Sequence, residues 1–133
     1  MKKKVLHADG LASDTRPFSR GIQVTSGPLS LIFVSGMASV NEKGNPIHLG
    51  DIKGQTRQVF ENMKVVLASA GATMENVTKV TVFLSNIKRD YQAMNEVRAE
   101  YFPKDPPASS AVQASLIKDE FLVEIEAIAV IGD

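Results

Sequence analysis

Glu124 and Glu126 are the residues of this chain best suited to chemistry: two carboxylates two positions apart, inside the run Phe121-Leu-Val-Glu-Ile-Glu-Ala-Ile-Ala-Val130. A carboxylate in a half-buried cleft has its pKa raised by desolvation, and a close like-charged neighbour raises it further, which suits proton transfer to or from water near neutral pH. The run reads as a strand, in which alternate side chains share a face. Phe121, Val123, Ile125, Ala127 and Ala129 then form one wall, and Leu122, Glu124, Glu126, Ile128 and Val130 form the other. The second wall is apolar at both ends, whereas a solvated sheet face is polar along its whole length. Two readings stand side by side. In one, the glutamates are the protective charges of an edge strand or half of a structural ion pair. In the other, the face is covered by a partner subunit, with a polar cleft between the two.

Carboxylate chemistry has few competitors here. The sequence contains no Walker loop, no dinucleotide-binding glycine triplet, no G-x-S-x-G elbow and no histidine pair at metal spacing. The absence of cysteine excludes a disulfide framework, a thiolate nucleophile and a cysteine-ligated metal. His7 and His48 are isolated and are read as surface or capping residues rather than bases or ligands. Asn76-Val77-Thr78 matches a glycosylation acceptor, and is read as a chance match on the expectation that no signal peptide precedes it.

The chain has 133 residues, enough for one self-sufficient domain spanning 1–133. Lys plus Arg and Asp plus Glu are 15 each, so no net field favours a polyanion and sequence-independent nucleic-acid binding has little electrostatic support. No apolar run approaches a membrane span. The expectation is a cytoplasmic protein that works on small molecules, without nucleic acid or membrane as partner.

The elements that must position the glutamates follow from hydrophobic period and punctuation. Ile22 to Thr25 and Leu29 to Ser35 flank Ser26-Gly27-Pro28 and predict a hairpin. Asn41 to Pro46 reads as a loop. From Asp51, an N-cap, apolar residues recur at Ile52, Val59, Phe60, Met63, Val66, Leu67 and Ala70, a helix with one buried stripe that Gly71 ends. Val77 to Ser85 alternates as a strand. A second helix carries Tyr91, Met94, Val97 and Tyr101 inward, Pro103, Pro106 and Pro107 stop it, and Ser109 to Ser115 with Phe121 to Val130 form a last hairpin. The order predicts an α+β sandwich, a mixed six-stranded sheet with two helices on one face. Its other face, with Leu122, Glu124, Glu126, Ile128 and Val130, is then bare in a monomer, which predicts an oligomer.

The same residues carry a resemblance. Pro17-Phe18-Ser19-Arg20, Val34-Ser35-Gly36, Gln55-Thr56-Arg57-Gln58-Val59-Phe60-Glu61-Asn62 with Ala70-Gly71, Lys79-Val80-Thr81-Val82-Phe83-Leu84, Met94-Asn95-Glu96, Tyr101-Phe102, Pro107-Ala108 and Glu124-Ile125-Glu126-Ala127-Ile128-Ala129-Val130 resemble the reactive intermediate deaminase (Rid, YjgF-like) family. The match runs through nearly the whole chain in order. It implies a chorismate-mutase-like fold of the bacillus type and a homotrimer with three clefts between subunits. It also implies hydrolysis of enamines and imines to keto acids and ammonia, with no cofactor and no metal.

Carried over residue by residue, the resemblance makes Glu124 the water-positioning group. It makes Ser35 and Gly36 backbone lining, and Asn95 a ligand contact on the second helix. Three positions depart. Where the family's deaminases have an arginine that grips the substrate carboxylate, this chain has Ser109; the nearby cysteine is Ala111; the ligand-facing tyrosine is Phe18. A serine hydroxyl supplies one neutral hydrogen bond where a guanidinium supplies a planar fork. Arg20, standing where many relatives have glutamine, is a candidate substitute cation, against the plainer reading that an arginine near a strand start faces solvent. The reading favoured by these residues is an enamine or imine deaminase-type hydrolase acting on a small reactive metabolite, such as an aminomuconate-like one, other than simple 2-imino acids. The alternative is a trimer that binds or senses a small metabolite without catalysis. A ribonuclease or translation inhibitor, a label the family sometimes bears, is disfavoured by zero net charge and by the lack of a histidine at the matched positions.

Overall fold

The computed structural model describes residues 1–12 and 15–132. The strands are β1 (Lys2–Leu6), β2 (Gly21–Ser26), β3 (Leu29–Met37), β4 (Val77–Leu84), β5 (Ala108–Gln113) and β6 (Val123–Gly132), with helices α1 (Ile52–Ala68) and α2 (Ile87–Tyr101). β-Branched and apolar residues recur in β2, β3, β4 and β6, whereas β1 and β5, the two edge strands, are mostly exposed. They make one six-stranded sheet in the order β1-β2-β3-β6-β4-β5. Every neighbouring pair is antiparallel except β4 and β5, which run parallel. The α+β class, the mixed six-stranded sheet and the β2–β3 hairpin are as the pattern predicts.

The last hairpin is not. β5 and β6 follow each other in sequence, yet β4 lies between them in the sheet. β5 pairs with β4 through α2 as a crossover, the connection that parallel strands require. β6 instead slots between β3 and β4. Its apolar wall explains the choice: Val123, Ile125, Ala127 and Ala129 are all fully or nearly fully buried, a burial an edge position does not give. Central placement also overturns the edge-strand reading of the glutamates.

Helix α1 starts at Asp51, whose carboxylate accepts the Gly54 N–H at 2.9 Å. It stops in a Schellman-type reversal. The Ala72 N–H reaches the Leu67 carbonyl and the Gly71 N–H the Ala68 carbonyl, both at 3.0 Å, with Gly71 at φ +74°. Val59, Phe60, Met63, Val66 and Leu67 on α1 and Met94 and Val97 on α2 are buried against the sheet, with Phe60 packed edge-on to Phe102 at 5.5 Å. Tyr91, expected to point inward, is 40 % exposed. Among the described residues, no helix is long and apolar enough to cross a membrane.

One polar side chain sits at the centre of this layer. Gln55 is fully buried; its amide donates to the carbonyls of Glu120 at 2.9 Å and His48 at 3.3 Å, and its oxygen accepts the Leu122 N–H at 2.8 Å. It therefore fixes the backbone that enters β6. Replacing it strands those backbone groups, so Gln55→Leu should lower stability by about 1–3 kcal/mol. Urea denaturation measures this, and an unchanged midpoint would show that the approach to β6 is held by other contacts.

Candidate functional site

Register decides what faces what. Phe83 lies opposite Glu124, Thr81 opposite Glu126, and Phe33 opposite Ile128. The face away from the helices therefore carries both glutamates, with Leu31, Phe33, Ile128 and Val130 beside them. Between Val34 and Met37 the β3–β6 register shifts: Ser35 and Gly36 together oppose Glu126 alone, a β-bulge. A glycine inside a strand is the one signal in the sequence that pointed to it.

The bulge brings Gly36 beneath Glu124. A Cβ there would collide with the carboxylate and lie 2.9 Å from its Cδ, so only glycine leaves room for the side chain where it stands. Ser35 holds the neighbouring segment. Its N–H donates to the Arg20 carbonyl at 2.9 Å and its hydroxyl to the Ser19 carbonyl, which ties Ser19 and Arg20 to β3. The result is a cleft of about 950 Å³ lined by Arg16, Phe18, Arg20, Ser35, Gly36 and Glu124, with Lys43 and Lys118 at its walls. The Arg16 guanidinium lies over the Phe18 ring, 4.8 Å from its centroid. Arg20 donates to the Ala12 carbonyl at 3.1 Å.

Burial holds Glu124 above the usual carboxylate pKa, Glu126 pushes it higher, and Arg16 draws it partly back. Among the described residues neither glutamate closes an ion pair, which counts against the structural ion-pair reading. A half-buried carboxylate with a raised pKa, in a cleft whose other charged lining residues are Arg16, Arg20, Lys43 and Lys118, can exchange protons with a bound anion or with water.

The remaining candidates lie elsewhere. In the parallel β4–β5 pair Ser109 is opposite Val80 and Ala111 opposite Val82, on the helix side of the sheet. Asn95 comes from α2. Ala111 lines a second hollow of about 590 Å³ with Ile87, Lys88, Tyr91 and Gln92. A single chain thus brings Phe18, Arg20, Ser35, Gly36 and Glu124 together, and separately Asn95, Ser109 and Ala111, on opposite sides of the sheet. Sequence reasoning passed over Arg16 and Arg98; the latter donates to both Asn95 and Ser109.

An independent likeness joins these geometric facts. The family profile described as Endoribonuclease L-PSP matches residues 11–131. A RutC family protein of Pyrococcus horikoshii is 40 % identical over 127 residues, covering 96 % of this chain and 97 % of its own. Among solved structures, the Rid family protein YyfA of Yersinia pestis is 34 % identical with a TM-score of 0.83, covering 98 % of this chain and 100 % of that one. RidA of an Antarctic Psychrobacter is 28 % identical with the same TM-score of 0.83, covering 96 % and 99 %. The chain belongs to the YjgF/Rid-like family.

The Glu124 environment has a measurable consequence. Because its folded pKa is raised, the native state holds this proton more tightly than the unfolded chain does. The contribution to stability is complete below the ordinary carboxylate range and is lost as pH rises through the raised value. Glu124→Gln, which never ionises, should therefore melt higher than the parent at neutral pH, with the gap closing as pH falls below about 4. Thermal melts of both proteins across that range check it; a variant less stable at neutral pH would contradict the assignment of burial as the main cause.

Proposed function

We propose that this protein is an enamine or imine deaminase-type hydrolase, working in the cytoplasm as a homotrimer whose clefts form between subunits. The observation that carries the reading is the half-buried Glu124 carboxylate over Gly36, in a cleft that takes Phe18, Ser35 and cationic side chains from the same chain. In such a cleft the enamine takes a proton from solvent on carbon to become an iminium ion. Glu124 then removes a proton from water as the oxygen adds to the C=N carbon, passes it to nitrogen, and takes the hydroxyl proton as the carbinolamine collapses, returning that proton to solvent. The balance is imine plus water to carbonyl compound plus ammonia, and needs no cofactor or metal.

Assembly follows from two observations. The open sheet face carries Phe33, 41 % exposed, and Leu29, 46 % exposed, beside Ile128 and Val130, an apolar strip that a second copy would cover. The two groups of family-matched residues also lie on opposite sides of one sheet, so they can act on one ligand only when a second copy brings its Asn95, Ser109 and Ala111 to the Glu124 cleft. Ser109, in place of a strand-borne arginine, argues against simple 2-imino acids and for a substrate whose anion lies further from the C–N carbon, as in an aminomuconate-like dienoate. A ribonuclease reading gains nothing from the cleft, which neither histidine lines.

Two measurements test the proposal. Ammonia release from a panel of enamines and imines should fall roughly 10²- to 10⁴-fold in Glu124→Gln, with assembly unchanged. Full activity in that variant would remove Glu124 from the chemistry, and ligand-induced stabilisation without any ammonia would favour a metabolite-binding trimer instead. Light scattering should report three chains per particle; a well-folded monomer at micromolar concentration would sink the shared cleft.

A further inference from the structure

Where Ser109 leaves a gap, α2 supplies a guanidinium. Arg98, in the last turn of the helix, donates through Nη1 to the Ser109 hydroxyl at 2.6 Å and through Nη2 to the Asn95 side-chain oxygen. Both acceptors are neutral, and among the described residues no carboxylate pairs with Arg98. Three other cations of the two helices are differently placed: Lys53 meets Glu96 at 2.6 Å, Arg57 meets Glu100 at 3.2 Å, and Arg89 meets Asp90 at 2.9 Å. Arg98 is thus a half-buried fork held in position by hydrogen-bond acceptors that leave its charge uncompensated. Tyr91, on the same face of α2, registers that charge. A hydrogen bond to Asn95 first, with Arg98 after it, holds the phenol below its usual pKa against the opposing effect of desolvation.

We infer that Arg98, braced by Ser109 and Asn95, is the carboxylate-binding group of the substrate cleft. The inference rests on the deaminase reading for its cleft and goes beyond it in naming the anchor. The position also sets a length. An arginine at 109 would carry its charge a full side chain away from β5, whereas Arg98 lays its guanidinium against the hydroxyl of Ser109, close to the strand. A carboxylate seated there leaves more room toward a neighbouring chain's Glu124, which fits an anion separated by several atoms from the carbon that is hydrolysed.

Isothermal titration of the full-length protein with 2-oxobutanoate, glutarate and trans,trans-muconate at fixed ionic strength tests this without requiring turnover. The parent should bind muconate most tightly, and Arg98→Gln should weaken that binding by about 10- to 100-fold, with circular dichroism and particle size unchanged. Exchanging the two side chains, Arg98→Ser with Ser109→Arg, should restore carboxylate binding and move the preference toward 2-oxobutanoate, a rescue that a merely structural arginine would not give. Binding by Arg98→Gln equal to the parent, a folded exchange variant that binds none of the three, or a parent that ignores all three would overturn the inference. Carboxylate binding through Arg98 in a protein that releases no ammonia would instead sink the deaminase reading alone, and Glu124-dependent hydrolysis indifferent to Arg98 would do the reverse.

Discussion

The pairing of β6 with strands on both sides is the constraint on which the rest depends. A strand hydrogen-bonded along both edges cannot slip by one residue without turning its whole apolar wall outward. Val123, Ile125, Ala127 and Ala129 are therefore committed to the helices, and Glu124 and Glu126 to the opposite face. The carboxylate is placed by the most redundantly held segment of the molecule. Catalytic groups gain from such rigid support, since small misplacements are costly to rate.

Around that strand, each cleft feature is a local adjustment. Gln55 fixes where β6 begins, the bulge at Ser35 and Gly36 makes space under Glu124, and Ser35 draws the segment carrying Phe18 and Arg20 into the wall. Desolvation then does the chemical tuning. Glu126, two residues along the same face and more exposed, adds to the effect through its charge. The two glutamates that look equivalent in sequence are therefore unequal: Thr81 faces one across the strand pair, and Phe83 and the cleft face the other.

Most of the architecture was legible because it rests on period and punctuation. Alternation in residues 121–130, the helical stripe from Ile52 to Leu67 and the turn at Ser26-Gly27-Pro28 all appear in the fold, although the helix stops at Ala68 and leaves Ala70 in the turn. The partner of each strand was not legible, because alternation says which face a side chain takes and nothing about the neighbour it meets. That is why β5 and β6 were read as a hairpin. Tyr91 was misplaced because its hydroxyl and ring can serve either side of a helix at a helical spacing. At the site, Glu124 and the Ser35-Gly36 pair could be picked out by type and resemblance, while Arg98 could not. Its part depends on a contact between residues 11 positions apart on different elements, which no local pattern encodes.

The parallel pairing of β4 with β5 separates the molecule's inheritance into two parts. Asn95, Arg98, Ser109 and Ala111 all lie in one uninterrupted stretch, α2 and the strand that follows it, whereas Glu124, Gly36 and their supports come from the hairpin and the last strand. Under the proposed function, mutations in the first stretch would alter ligand choice while the second is left intact. Divergence within a lineage, or a recombination crossover in the loops on either side of that stretch, would then retune what is recognised and keep the Glu124 half unchanged.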